Sequence, residues 1–147
     1  MASDHNEARE LISKIGEAIN EFVKGDAQAY KACWLRSAET SIFGGRGDHE
    51  LGWEQVSARL DWAASGFESG WTEQEVLVSA FGTEFGYIVS LERGEQTVAG
   101  RAEASSSILR VTHIFRRGPG GWGIVHRHAD PAISRTSPEA ILVSGET

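Results

Sequence analysis

A chain of 147 residues, 40% of them hydrophobic and 24% charged, is long enough to bury one core. Its net charge of −7 sets it against phosphate backbones and anionic membrane surfaces, so neither nucleic acid nor a membrane is expected as a partner. A single cysteine, Cys33, excludes an intrachain disulfide and fits a reducing, cytoplasmic setting, and no stretch nears the roughly 18 apolar residues of a membrane-spanning helix.

Asp4, with Glu7 three residues on, marks a helix start. Ala8, Leu11, Ile12, Ile15, Ile19, Phe22 and Val23 then recur at helical spacing and give one apolar stripe. Gly25 ends that helix, and Asp26 caps a second one through DAQAYKACW. Residues 40–43 form a short strand candidate, and the following GGRGDHELG reads as a loop. From Trp53, WEQVSARLDWAASGF is a third amphipathic helix, with Val56, Leu60, Ala63 and Ala64 on one side.

After Gly70 the pattern turns to strands: EVLVSAF, FGYIVSLER, SSSILRVTHIFRR and WGIVHRHA, separated by the turns GTE, RGEQ and GPGG. Three helices followed by a four-strand antiparallel meander cannot make a βαβ sheet, so the expected class is α+β, with helices on one face of a strongly curved sheet. Residues 1–135 make a single domain, and residues 136–147 a solvated tail.

That order, with KGDAQAYKACW after the first helix and LRVTHIFRR…GGWGIVHRHADP near the end, resembles the NTF2-like (cystatin-like) superfamily across residues 5–131. It is most similar to SnoaL-like and ketosteroid-isomerase-like proteins, and to the association domain of calcium/calmodulin-dependent protein kinase II. The resemblance implies a cone of helix and curved sheet, an internal pocket, and a homodimer through the outer sheet face. It also implies where an isomerase would carry its tyrosine, its base and its second acid. Those positions hold Ala18, Phe43 or Gly44, and Thr112, so the steroid-isomerase chemistry does not carry over.

Side chains alternate along a strand, so His126 and His128 share a face with Trp122 and Ile124, while Arg127 points the other way with Val125 and Ala129. If Arg117 and Trp122 flank the GPGG turn, His113 lies opposite His126, and Arg110 joins Arg127 on the reverse face. On that register His113, His126 and His128 are metal candidates, weighed against histidines packed at an interface. Arg127 and Arg110 reach the pocket in the family comparison and suit bidentate capture of a carboxylate, or else pair with Glu75, Glu84 or Glu103.

Trp53 and Trp62 on the third helix and Tyr87 on a central strand are the other candidates for lining a ligand pocket, against plain core roles. Asp48 and His49, adjacent in a loop at the pocket mouth, could serve as an acid/base pair. No cofactor is called for. The leading expectation is a binder of a small organic molecule, anionic or aromatic. Two alternatives stand beside it: an isomerase, cyclase or hydratase working through a general base in the cone, and a homo-oligomeric association module.

Overall fold

The computed structural model describes residues 2–143, with side chains from residue 6. Helix α1 runs Ala2–Phe22, two residues ahead of the expected start at Asp4. It stops where Gly25 takes a φ of +102°, a left-handed conformation that glycine adopts without a Cβ penalty, and the Gly25 amide donates to the Phe22 carbonyl. The Asp26 carboxylate accepts from the Gln28 amide at 2.9 Å and opens α2, which is only Gln28–Lys31 rather than the whole of DAQAYKACW. The chain leaves the helix early because Cys33 and Leu35 exchange backbone hydrogen bonds with Ile124. Helix α3 spans Trp53–Ser65.

The strands are β1 (Ser41–Phe43), β2 (His49–Leu51), β3 (Phe67–Phe81), β4 (Phe85–Val98), β5 (Ser105–Gly118) and β6 (Gly121–Pro131). They form one sheet in the order β2-β1-β6-β5-β4-β3. The four long strands are the expected antiparallel meander. Two short strands extend it: β1 pairs parallel to β6 and antiparallel to β2. GGRGDHELG, expected to be a loop, therefore contains the turn and return strand of a small hairpin. β3 also begins earlier than expected, at Phe67, and register shifts break its pairing with β4 at its start, between Phe67 and Ser69, and further along, between Val76 and Val78.

The helices pack on the inward face of the sheet. Ile15, Ile19, Tyr30, Trp34, Val56 and Leu60 meet Ile88, Phe115 and Ile124 in one buried cluster. The Asn20 amide bonds the backbone of Thr72 in both directions, at 2.8 and 2.9 Å, and pins α1 to β3. Beyond β6, residues 132–143 are exposed throughout, with a single 3-10 turn at Pro138–Ile141. The last four residues of the expected tail, 144–147, lie outside the described residues.

Candidate functional site

The pairing of Arg117 with Trp122 is the one expected, but the β5–β6 register shifts between Phe115–Ile124 and Ile114–His126, leaving Val125 as an extra residue. A bulge of this kind reverses the face on which every later residue of the strand points. His113 therefore lies opposite Arg127, not His126. His113 and Arg127 point inward, whereas His126 and His128 sit on the outer face around Phe43, at ring distances of 5.8 and 5.2 Å. The three histidines are thus divided between two faces, and among the described residues no cluster fit to hold a metal ion occurs.

The same bulge separates the two arginines. Arg110 points outward and forms an exposed bidentate pair with Asp130 at 2.8 and 2.9 Å. That pairing holds the Asp130 carboxyl below its ordinary pKa through the hydrogen bond from Arg110. Arg127 points inward and donates from both Nη atoms to the two oxygens of Glu92, at 2.8 and 2.9 Å. The partner is a carboxylate of the neighbouring sheet region, but none of Glu75, Glu84 or Glu103. Glu92 was not singled out by sequence, although its parity with Ile88 and Ser90 in FGYIVSLER carried the signal: a carboxylate at an inward position needs a buried cation.

Around this pair lies a buried network. The Tyr30 hydroxyl is 2.6 Å from His113 Nε2, and Arg127 Nη1 lies 3.4 Å from that hydroxyl and 3.5 Å from the same nitrogen. Arginine can only donate, so the consistent assignment has the Tyr30 oxygen accepting from Arg127 and its proton donated to Nε2. The His113 proton then sits on Nδ1, which is buried without a partner among the described residues. Burial, reinforced by the Arg127 charge, pushes the His113 pKa well below its ordinary value and keeps the ring neutral. Burial likewise raises the Tyr30 pKa, only partly offset by Arg127. For Arg127 the opposite holds: burial favours the neutral form, but Glu92 and Tyr30 outweigh it and the pKa rises.

Glu92, Arg127 and Tyr30 line an internal cavity of about 270 Å³ between α1, α3 and the sheet. Its remaining walls are mainly apolar, including Ile19, Phe22, Ile42, Leu60, Phe67 and Leu109. Arg46 and Arg59 stand at its mouth and also border an outer recess with Asp48, Glu50 and Trp62. Arg59 is buried, bonding Glu50 at 3.0 Å and the Gly47 carbonyl at 2.6 Å. Its position depends on Gly44, where a Cβ would collide with the guanidinium. The hairpin that presents Arg46 thus closes onto α3 through Arg59.

The other candidates fall elsewhere. Tyr87 is on the outer face, because inward positions on β4 are Ile88, Ser90 and Glu92. Trp53 packs against Trp34 at 6.2 Å and under Arg36, away from the cavity. Trp62 borders the outer recess and stacks beneath Arg46. Asp48 and His49 do approach, at 3.8 Å, but both side chains are more than half exposed; Asp48 borders the recess and His49 packs against Phe43 outside.

A family model described as a SnoaL-like domain matches residues 12–134. The chain belongs to the SnoaL-like domain family. Solved structures share its NTF2-like, cystatin-like architecture at low identity. An NTF2-like superfamily protein from Salmonella enterica is 19% identical, with a TM-score of 0.79, covering 94% of this chain and 97% of its own. A protein assigned as a dehydratase of the NTF2-like family from Streptomyces avermitilis is 16% identical, with a TM-score of 0.75 and coverage of 90% and 99%. An association domain assigned to the calcium/calmodulin-dependent protein kinase type II class in Thiobacillus denitrificans is 14% identical, with a TM-score of 0.64 and coverage of 84% and 93%. A comparison with curated proteins gives no match. No helix among the described residues is long and apolar enough to cross a membrane.

Proposed function

We propose that this SnoaL-like protein binds a small, largely apolar organic molecule in the cavity beneath α1 and α3. The observation that supports this most directly is an apolar chamber of about 270 Å³ whose charged floor is closed on itself by the Glu92–Arg127 fork. The volume lies near the lower end of the roughly 300–1,000 Å³ seen for small-molecule sites, which argues for a compact ligand. Because Arg127 spends both forks on Glu92, it presents a neutral, hydrogen-bonding floor together with the Tyr30 hydroxyl, rather than a free cation. Arg127 is then a floor residue and Trp62 a mouth residue, while Arg110, Trp53 and Tyr87 have no part in the chamber.

The test is a thermal-shift screen with carboxylic acids, steroids and polyketide-like aromatics, repeated on Ala63→Phe, which fills the chamber from α3. Stabilisation of the wild type that disappears in folded Ala63→Phe is the expected result. A screen in which no compound shifts the wild type, or in which Ala63→Phe responds equally, overturns the proposal.

A second reading, catalysis of the isomerase or dehydratase kind, draws support from Glu92, a carboxylate facing an apolar chamber. Both its oxygens already accept from Arg127, so a proton abstracted from a ligand would have to disrupt that fork. Binding therefore stands first. Self-association through the outer sheet face is part of the same proposal, supported by the apolar side chains Val78, Phe85, Tyr87 and Ile108 exposed there.

A further inference from the structure

The charges around the chamber are unevenly satisfied. Three arginines and one carboxylate line it, in a protein whose net charge is −7. Arg127 is neutralised by Glu92, and Arg59 by Glu50 with the Gly47 carbonyl. Arg46 has no carboxylate partner among the described residues: its one hydrogen bond runs to the Ala63 carbonyl at 3.3 Å. It borders both the chamber and the outer recess, so it stands at the passage between them.

The guanidinium of Arg46 is also held in place. It lies 4.2 Å from the centroid of the Trp62 ring, which stacks the planar group and leaves the N–H groups not bonded to Ala63 able to donate. Partial burial, then the neighbouring Arg59 charge, lowers its pKa, so an arriving anion would relieve a local excess of positive charge.

From this geometry we infer that the ligand of the chamber is an apolar monocarboxylic acid, its carboxylate caught by Arg46 at the mouth and its hydrocarbon body inside. The inference rests on the binding function proposed above and names the class of ligand. A planar carboxylate matches the fork of a stacked guanidinium. A dianion such as a phosphate monoester fits less well, because Asp48 and Glu50 border the same recess and would repel a second negative charge. The walls from Leu60 and Phe67 to Leu109 offer apolar contact to the body, and the inner end meets the neutral floor of Glu92, Arg127 and Tyr30.

Calorimetric titration with matched pairs tests this: octanoate against octanol, and phenylbutanoate against phenylbutanol. In at least one pair the acid should bind about tenfold or more tightly than the alcohol, the scale of a hydrogen bond to a charged group. About 1 M NaCl, with a Debye length near 3 Å, should shrink that preference because Arg46 is exposed. Arg46→Gln should abolish the preference while leaving alcohol affinity within about twofold, and Arg46→Lys, which keeps the charge but not the fork, should fall between. Equal binding of acid and alcohol, or a preference that survives Arg46→Gln, overturns the assignment and leaves the binding function standing. Failure of all four compounds to bind overturns the monocarboxylic-acid assignment, and the binding function falls with it only when the thermal-shift screen is silent as well.

Discussion

Glu92 on β4 and Arg127 on β6 meet across β5 as a two-pronged ion pair on the sheet's inner face, with the Arg127 side chain 12% exposed and that of Glu92 4%. Neither group could be left alone there, because an unpaired charge loses its hydration with nothing in return. Glu92→Gln should therefore destabilise the fold by about 3 kcal/mol, seen as a fall in Tm of roughly 6–12 °C. Replacing both residues, as Glu92→Leu with Arg127→Met, should recover most of that loss, since an apolar pair of similar volume carries no desolvation cost. A double variant as unstable as the single one would show that the fork contributes to the fold in its own right.

His113 makes stability depend on pH. Burial and Arg127 hold its folded pKa well below the ordinary value of 6.5, so the folded protein refuses a proton that the unfolded chain accepts. The contribution of the neutral ring is complete above pH 6.5 and is lost as pH falls through that value, at up to about 1.4 kcal/mol per pH unit. His126, also lowered, by burial and then by His128, adds a smaller loss of the same sign. Urea unfolding at pH 7.5 and pH 5 should show this decline. His113→Gln should be less stable at pH 7.5, because Tyr30 loses its partner, yet decline less on acidification.

The long elements were legible in the sequence because their periodicities were unbroken: the stripe from Ala8 to Val23 and the alternation of β4 and β5 need only local information. The site was less legible because its geometry turns on Val125. Nothing in WGIVHRHADP announces a bulge, and without it strand parity assigns Arg127 inward correctly but puts Arg110 beside it and His113 with the wrong histidines. Arg46 was hidden for another reason: a glycine-rich stretch reads as loop, and only the pairing of β2 with β1 fixes where the turn between them points. Glu92 and Tyr30 were hidden because their partners lie 35 and 83 residues away in sequence.

Cys33 should behave as a core side chain rather than a reactive thiol. It is 8% exposed, its sulfur donates to the Ala29 carbonyl, and burial pushes its pKa up to about 11. At pH 8 the thiolate fraction is small even before access is considered. A disulfide reagent such as DTNB should label the native protein slowly, with a rate that rises in step with the urea unfolding transition. Rapid stoichiometric labelling under native conditions would contradict the packing around α2.

The outer sheet face makes the last prediction. Directly paired residues Val78, Val89 and Thr112 run across β3, β4 and β5, and Tyr87 and Ile114 form a parallel row ending at His126 on β6. These rows stand opposite the helices, and with Tyr87 at 41% and Phe85 at 57% exposure they form an apolar band, as expected of a surface covered by a second copy. Light scattering after size exclusion should give a dimer mass at micromolar concentration. Burying a carboxylate at the centre of the band should cost several kcal/mol of association, so Val89→Glu and Tyr87→Glu should each weaken the dimer by about a hundredfold or more and yield folded monomers. Because the chamber lies on the opposite face of the sheet, ligand binding by those monomers should persist. A wild type that remains monomeric at about 100 μM, a concentration far above that of a specific dimer's dissociation, would remove the outer face as a self-association surface.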